Sequence, residues 1–144
     1  MAGEKLGPPR PQLVASLFCR NLTWSQEAGL TLEGIFLALP VGLIPAAIMA
    51  NVWRGTESMA EAREEVALLD PQGRTIAGGR NRPFCLERHD CQVNYTRFTN
   101  LFIPEPGLYR VRIRLRAPGI PLTLAEEQIT IPAERRMSAC HCPP

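Results

Sequence analysis

Lysine, aspartate and histidine are scarce in this chain. Its 144 residues include one lysine (Lys5), two aspartates (Asp70, Asp90) and two histidines (His89, His141). Acid–base machinery therefore has few places to reside. Aromatic residues are 6% of the chain, which argues against a platform for stacking nucleic-acid bases. The formal net charge is +2, too small to imply nucleic acid or an anionic membrane from charge alone. No nucleophile elbow, phosphate-binding loop, zincin helix or dinucleotide fingerprint is present. Residues 1–11 contain no apolar core of a signal peptide, so they read as a flexible lead-in and the expected compartment is the cytoplasm, with reduced thiols. The five cysteines are odd in number, which argues against a disulfide framework.

Charge is missing altogether from the 20 residues Gly34–Trp53. A helix of that length would span a bilayer. Pro40 and Pro45 would each break it, Gly42 weakens its centre, and no basic cluster flanks it. The preferred reading is two buried strands joined by a Pro-Gly crossover, with no membrane contact.

Proline (14) and glycine (11) punctuate the rest and exclude a long-helix bundle. Gln12–Arg20 reads as a strand apolar on both faces, with Leu13, Ala15, Leu17 and Cys19 on one side and Val14, Ser16 and Phe18 on the other. Leu30–Leu39 and Ala46–Arg54 are further strands. Ser58-Met59-Ala60-Glu61 matches a helix capping box, so Thr56–Glu65 is read as one or two helical turns before a strand over Glu64–Leu69. Asp70-Pro71-Gln72-Gly73 is a type I turn, answered by a strand over Arg74–Gly78. Val93–Ile103, Leu108–Arg116 and Leu122–Ile131 follow, separated by turns at Pro104–Gly107 and Pro118–Pro121. Seven to eight short strands spaced by turns predict an all-β fold: a single antiparallel β-sandwich over 12–132, Ig-like or jelly-roll-like, with a loose tail over 133–144.

The order of these pieces resembles a small bacterial family of β-sandwich domains, a domain of unknown function. The resemblance rests on Leu17-Phe18-Cys19-Arg20-Asn21, Leu30–Phe36, Ile44-Pro45, Leu68–Gly73 and the strand Gly107–Val111. It covers Ser16 to Ile131 and implies the fold without supplying catalytic residues.

Two clusters carry candidate chemistry. In Tyr109–Arg116, strand alternation sends Tyr109, Val111, Ile113 and Leu115 to the core. Arg110, Arg112, Arg114 and Arg116 then line the opposite face over about 20 Å, a row able to bind a polyanion or an acidic partner. The competing expectation is neutralisation by a neighbouring strand, with Glu126 and Glu127 and the acid-rich stretch 57–70 as partners. The second cluster is Cys85, His89 and Cys91 with Cys140, His141 and Cys142, ligands of the right softness for zinc at spacings unlike a zinc knuckle. These readings predict a non-catalytic cytoplasmic module that needs no cofactor and contacts another protein or a second copy of itself. A zinc-binding or thiol redox-sensing module and a polyanion binder are the alternatives.

Overall fold

A computed structural model describes residues 10–55, 61–117 and 122–135. Among the described residues ten strands are formed: β1 (Gln12–Ser25), β2 (Gly29–Ile35), β3 (Leu39–Pro40), β4 (Gly42–Arg54), β5 (Glu61–Leu69), β6 (Thr75–Arg80), β7 (Phe84–Cys85), β8 (Cys91–Ile103), β9 (Gly107–Ala117) and β10 (Leu122–Glu134). They build two sheets, one ordered β2-β1-β4-β8 and the other β3-β10-β9-β5-β6, with β7 paired to β5. Pairing is antiparallel except between β3 and β10. The all-β sandwich read from the sequence is the observed fold.

The core lies between the sheets. The smaller sheet contributes Phe18, Met49, Trp53, Phe98, Leu101 and Ile103, and the larger one contributes Val66, Leu68, Tyr109, Val111, Ile113 and Leu115. The Phe18 and Phe98 rings meet with centroids 5.9 Å apart. Alternation in β9 is complete, so every odd residue from Tyr109 to Leu115 is fully buried. The Tyr109 hydroxyl reaches the core's edge and donates to the Glu105 carbonyl at 2.8 Å.

Several boundaries differ from the sequence reading, each for a local reason. In β1 the register shifts between Leu13 and Ala15. This bulge at Val14 moves Leu13 to the core beside Ser16 and Phe18, and leaves Ala15, Leu17 and Cys19 on the outer side. In β4 the strand runs through Pro45, which stands opposite Asn100. Asn100 has φ 53°. The alternation of buried and exposed residues slips by one on both strands there, so Ile44 and Leu101 remain inside while Ala46 and Thr99 face out. β1 pairs with β4 only as far as Cys19, and a proline without an N–H is tolerated where no third strand needs it. The helical turns expected over Thr56–Glu65 lie mostly outside the described residues, and from Glu61 onward the chain is strand. The turn expected at Pro118–Pro121 also lies outside them. The tail expected to be loose from 133 begins inside β10, where Ala133 and Glu134 pair with Leu39 and Pro40 and Ala133 is buried.

A candidate anion-binding face

Charged side chains line the outer face of the larger sheet in rows across its strands. One row runs Arg80 (β6), Glu65 (β5), Arg114 (β9), Glu126 (β10), with charges alternating across it. Arg114 forms an ion pair with Glu126, and Arg116 approaches Glu65 at 3.6 Å. To one side lies the pair Arg63 and Arg116, directly opposite each other. To the other side lie Arg112, between Ala67 and Gln128, and then Arg110, between Leu69 and Thr130. Four rows thus hold six arginines and two glutamates. Glu61 and Glu134 fall beyond the two ends.

The sequence reading placed Arg110, Arg112, Arg114 and Arg116 on one side of a strand, and the burial pattern of β9 does so. Neutralisation by the neighbouring strands extends only to Arg114 and Arg116. Glu127 cannot take part, because its register partner is the core residue Ile113, on the other side of the sheet from the arginines. Arg110, Arg112, Arg63 and Arg80 form no ion pair among the described residues. Like charges directly opposite in a sheet repel, and the Nε atoms of both Arg63 and Arg116 are buried without a hydrogen-bond partner. The sequence reading missed Arg63 and Arg80. The signal for Arg63 was its alternation with Ala62, Glu64 and Val66, which the capping-box pattern obscured.

The small residues Ala67 and Gly78 leave a depression in this face of about 360 Å³, rimmed by Arg80, Arg112, Arg114 and Glu65.

The opposite side of β5 carries the most buried carboxylate. Glu64 is fully buried and accepts hydrogen bonds from Trp53 Nε1 at 2.6 Å, Asn81 Nδ2 at 2.9 Å and Asn51 Nδ2 at 3.3 Å. Ser16 Oγ donates in turn to Asn51 Oδ1. Burial pushes the Glu64 carboxyl above the usual carboxylate range, against the opposing pull of these donors. At the β5–β6 turn, Asp70 accepts from the Gln72 and Arg74 backbone N–H groups at 3.0 and 2.8 Å and from Arg74 Nε at 2.8 Å. Burial opposes its ionisation, but these bonds and the Arg74 charge prevail and hold its carboxyl below the usual range.

The cysteines and histidine of the loop are not gathered into a site. Cys85 lies on β7, paired to β5 of the larger sheet, whereas Cys91 opens β8 in the smaller one. His89 sits between them with φ 66°, its N–H donating to the Gly55 carbonyl at 2.8 Å. Among the described residues no three His, Cys, Asp or Glu side chains come close enough to hold a metal ion. Cys140, His141 and Cys142 lie outside the described residues. Cys19 is a free thiol, fully buried. Burial pushes its pKa up, only partly offset by a backbone hydrogen bond from Asn21, so it is held as an inert thiol.

The uncharged run forms β3, β4 and the end of β2, and among the described residues no helix is long and apolar enough to cross a membrane. The outer face of its sheet is largely apolar, with the exposed Arg97 opposite Ile48. Leu17, Ile35, Leu43, Tyr95 and Phe102 are exposed there around the buried Cys19, Ile48 and Ala50.

No family model matches this chain. No curated protein matches it either. Among solved structures, the chain is similar to the crystal structure of the C-terminal domain of wzt, at 12% identity and a TM-score of 0.60, over 92% of this chain and 78% of that one. The two share a β-sandwich fold.

Proposed function

We propose that this chain is a non-catalytic interaction module, acting in the cytoplasm, that docks the acidic surface of a partner protein on the outer face of its larger sheet. The observation that carries this reading is the incomplete neutralisation of that face. Six arginines meet two glutamates, and Arg63 and Arg116 stand opposite each other with unpartnered Nε atoms. Guanidinium groups stay charged at any physiological pH and grip carboxylates bidentately, so an acidic surface would relieve the repulsion that the fold itself leaves in place. The family resemblance drawn from the sequence is compatible with such a role, since it implies the sandwich fold and supplies no activity.

Retention on immobilised poly-L-glutamate tests the proposal. The wild type is expected to be retained at low salt and released as salt rises. Arg110→Glu and Arg112→Glu are each expected to elute at lower salt, with unchanged circular dichroism. Retention unaffected by both substitutions would remove the reading.

A further inference from the structure

The depression over Ala67 and Gly78 has features that a flat basic face lacks. It sits where Ala67 carries only a methyl group and Gly78 no side chain, beside Arg112 and Arg114 of β9 and Arg80, two residues along β6 from Gly78. Its volume, about 360 Å³, lies at the low end for ligand sites and suits a small group rather than a cofactor. The charges around it do not cancel. Glu65 lies against Arg116 and Glu126 against Arg114. Arg80 and Arg112, which both line this hollow, are left with no ion pair among the described residues.

We infer that this hollow is a seat for a phosphate dianion, either the free ion or a phosphomonoester carried by the partner. The inference rests on the reading of the face as an acidic-partner surface and names the group that its centre takes. Two uncompensated guanidinium groups match a ligand carrying about −1.5 to −2 charges near neutral pH better than a single carboxylate. Each guanidinium fork can donate two parallel N–H bonds to phosphate oxygens. Among the described residues that line the hollow, Glu65 is the one anionic group, and its contact with Arg116 at 3.6 Å offsets part of its charge. The β5 and β6 backbones beneath are already paired with each other, so the side-chain guanidinium groups supply the recognition.

The test is titration with inorganic phosphate followed by calorimetry, with acetate as the monoanion control and a short phosphoserine peptide beside its unphosphorylated form. Saturable phosphate binding at one site is expected, with acetate giving none. Arg112→Gln is expected to weaken it about tenfold or more, the effect of losing one charge-assisted contact. Ala67→Leu fills the hollow from an outward position without changing the charge of the face. It is expected to abolish phosphate binding while leaving poly-L-glutamate retention at the wild-type salt concentration. Tighter binding of the phosphopeptide than of inorganic phosphate assigns the seat to a phosphorylated partner, and the reverse order assigns it to the free ion. Phosphate binding that survives Ala67→Leu, or that acetate matches, overturns the inference and leaves the acidic-partner reading standing. Loss of poly-L-glutamate dependence on Arg110 and Arg112 defeats that reading separately.

Discussion

Replacing Glu64 by leucine is expected to destabilise the protein by about 2–6 kcal/mol. Three side-chain donors converge on this carboxylate, and two of them, Trp53 Nε1 and Asn51 Nδ2, belong to residues with no exposed surface. Leucine offers no acceptor, so both donors are left without partner or water. An orphaned buried donor costs about 1–3 kcal/mol. The third donor, on the half-exposed Asn81, can turn to solvent and adds little. Relief of the carboxylate's own desolvation draws the sum toward its lower end, yet even 2 kcal/mol is a large share of the 5–15 typical of a domain. Urea unfolding followed by tryptophan fluorescence measures it cleanly. Trp53 moves from full burial to solvent, whereas Trp24 is already 73% exposed. The pH dependence supplies a second reading. Burial raises the folded pKa of Glu64 above its unfolded value of about 4.5, so the native state holds this proton more tightly. The contribution of Glu64 is therefore fully present below that value and is lost as pH rises through the folded pKa. Glu64→Gln cannot titrate, so the stability of wild type relative to this variant is expected to fall as pH rises from 4.5. A leucine variant as stable as wild type, or a wild-type advantage over Glu64→Gln that grows with pH, would refute the reasoning.

Asp70→Asn is expected to lower the melting temperature and to flatten the acid limb of the stability profile. The Asp70 carboxyl is held below its usual range, so its contribution is present above the unfolded pKa and disappears as pH falls through the folded one; thermal unfolding of the pair across acid pH reads this. Gly55→Ala should detach the loop 86–90, because a Cβ there would stand 2.0 Å from the Glu87 carbonyl oxygen. The loss of the Gly55 N–H bond to Asp90, of the His89 N–H bond to Gly55 and of the Leu86 anchor amounts to about 2–5 kcal/mol, with rapid hydrogen exchange at the His89 amide as its signature. Ile113→Ala empties a fully buried position at the centre of β9 and should reduce stability by about 2–5 kcal/mol in urea, with no change in poly-L-glutamate retention.

The fold was legible wherever a segment showed strict period-two alternation between turn residues. β9 is the clearest case: Gly107 opens it at φ 146°, and the next eight residues alternate without interruption. β1 and β4 were harder because both of their faces are apolar. The sequence suggested strands covered on both sides, whereas one side of each lines the core and the other forms the outer face of the smaller sheet. No local pattern separates those cases, since the difference lies in whether a third layer exists. The shifts at Val14 and at Pro45 with Asn100 were likewise invisible, because a bulge is a property of two paired strands and only one is read at a time.

The candidate site divides along the same line. That four arginines share a face follows from β9 alone. Whether they are neutralised depends on the registers of β10 and β5, and a shift of one residue would decide it differently. The bulge in β10 between Thr123 and Ala125 keeps Glu126 beside Arg114 and turns Glu127 toward the Ile113 side. With a register one residue displaced, Glu127 would join the arginine face and Glu126 would leave it. The acid count of β10 therefore says little about the charge of the face, and one glutamate of an adjacent pair is withheld by geometry. The same holds for β5, where Glu65 reaches the face while its neighbour Glu64 is sealed in the core under Trp53. Two adjacent acid pairs thus each send one member to this face, and Arg110, Arg112, Arg63 and Arg80 are left without an ion pair among the described residues.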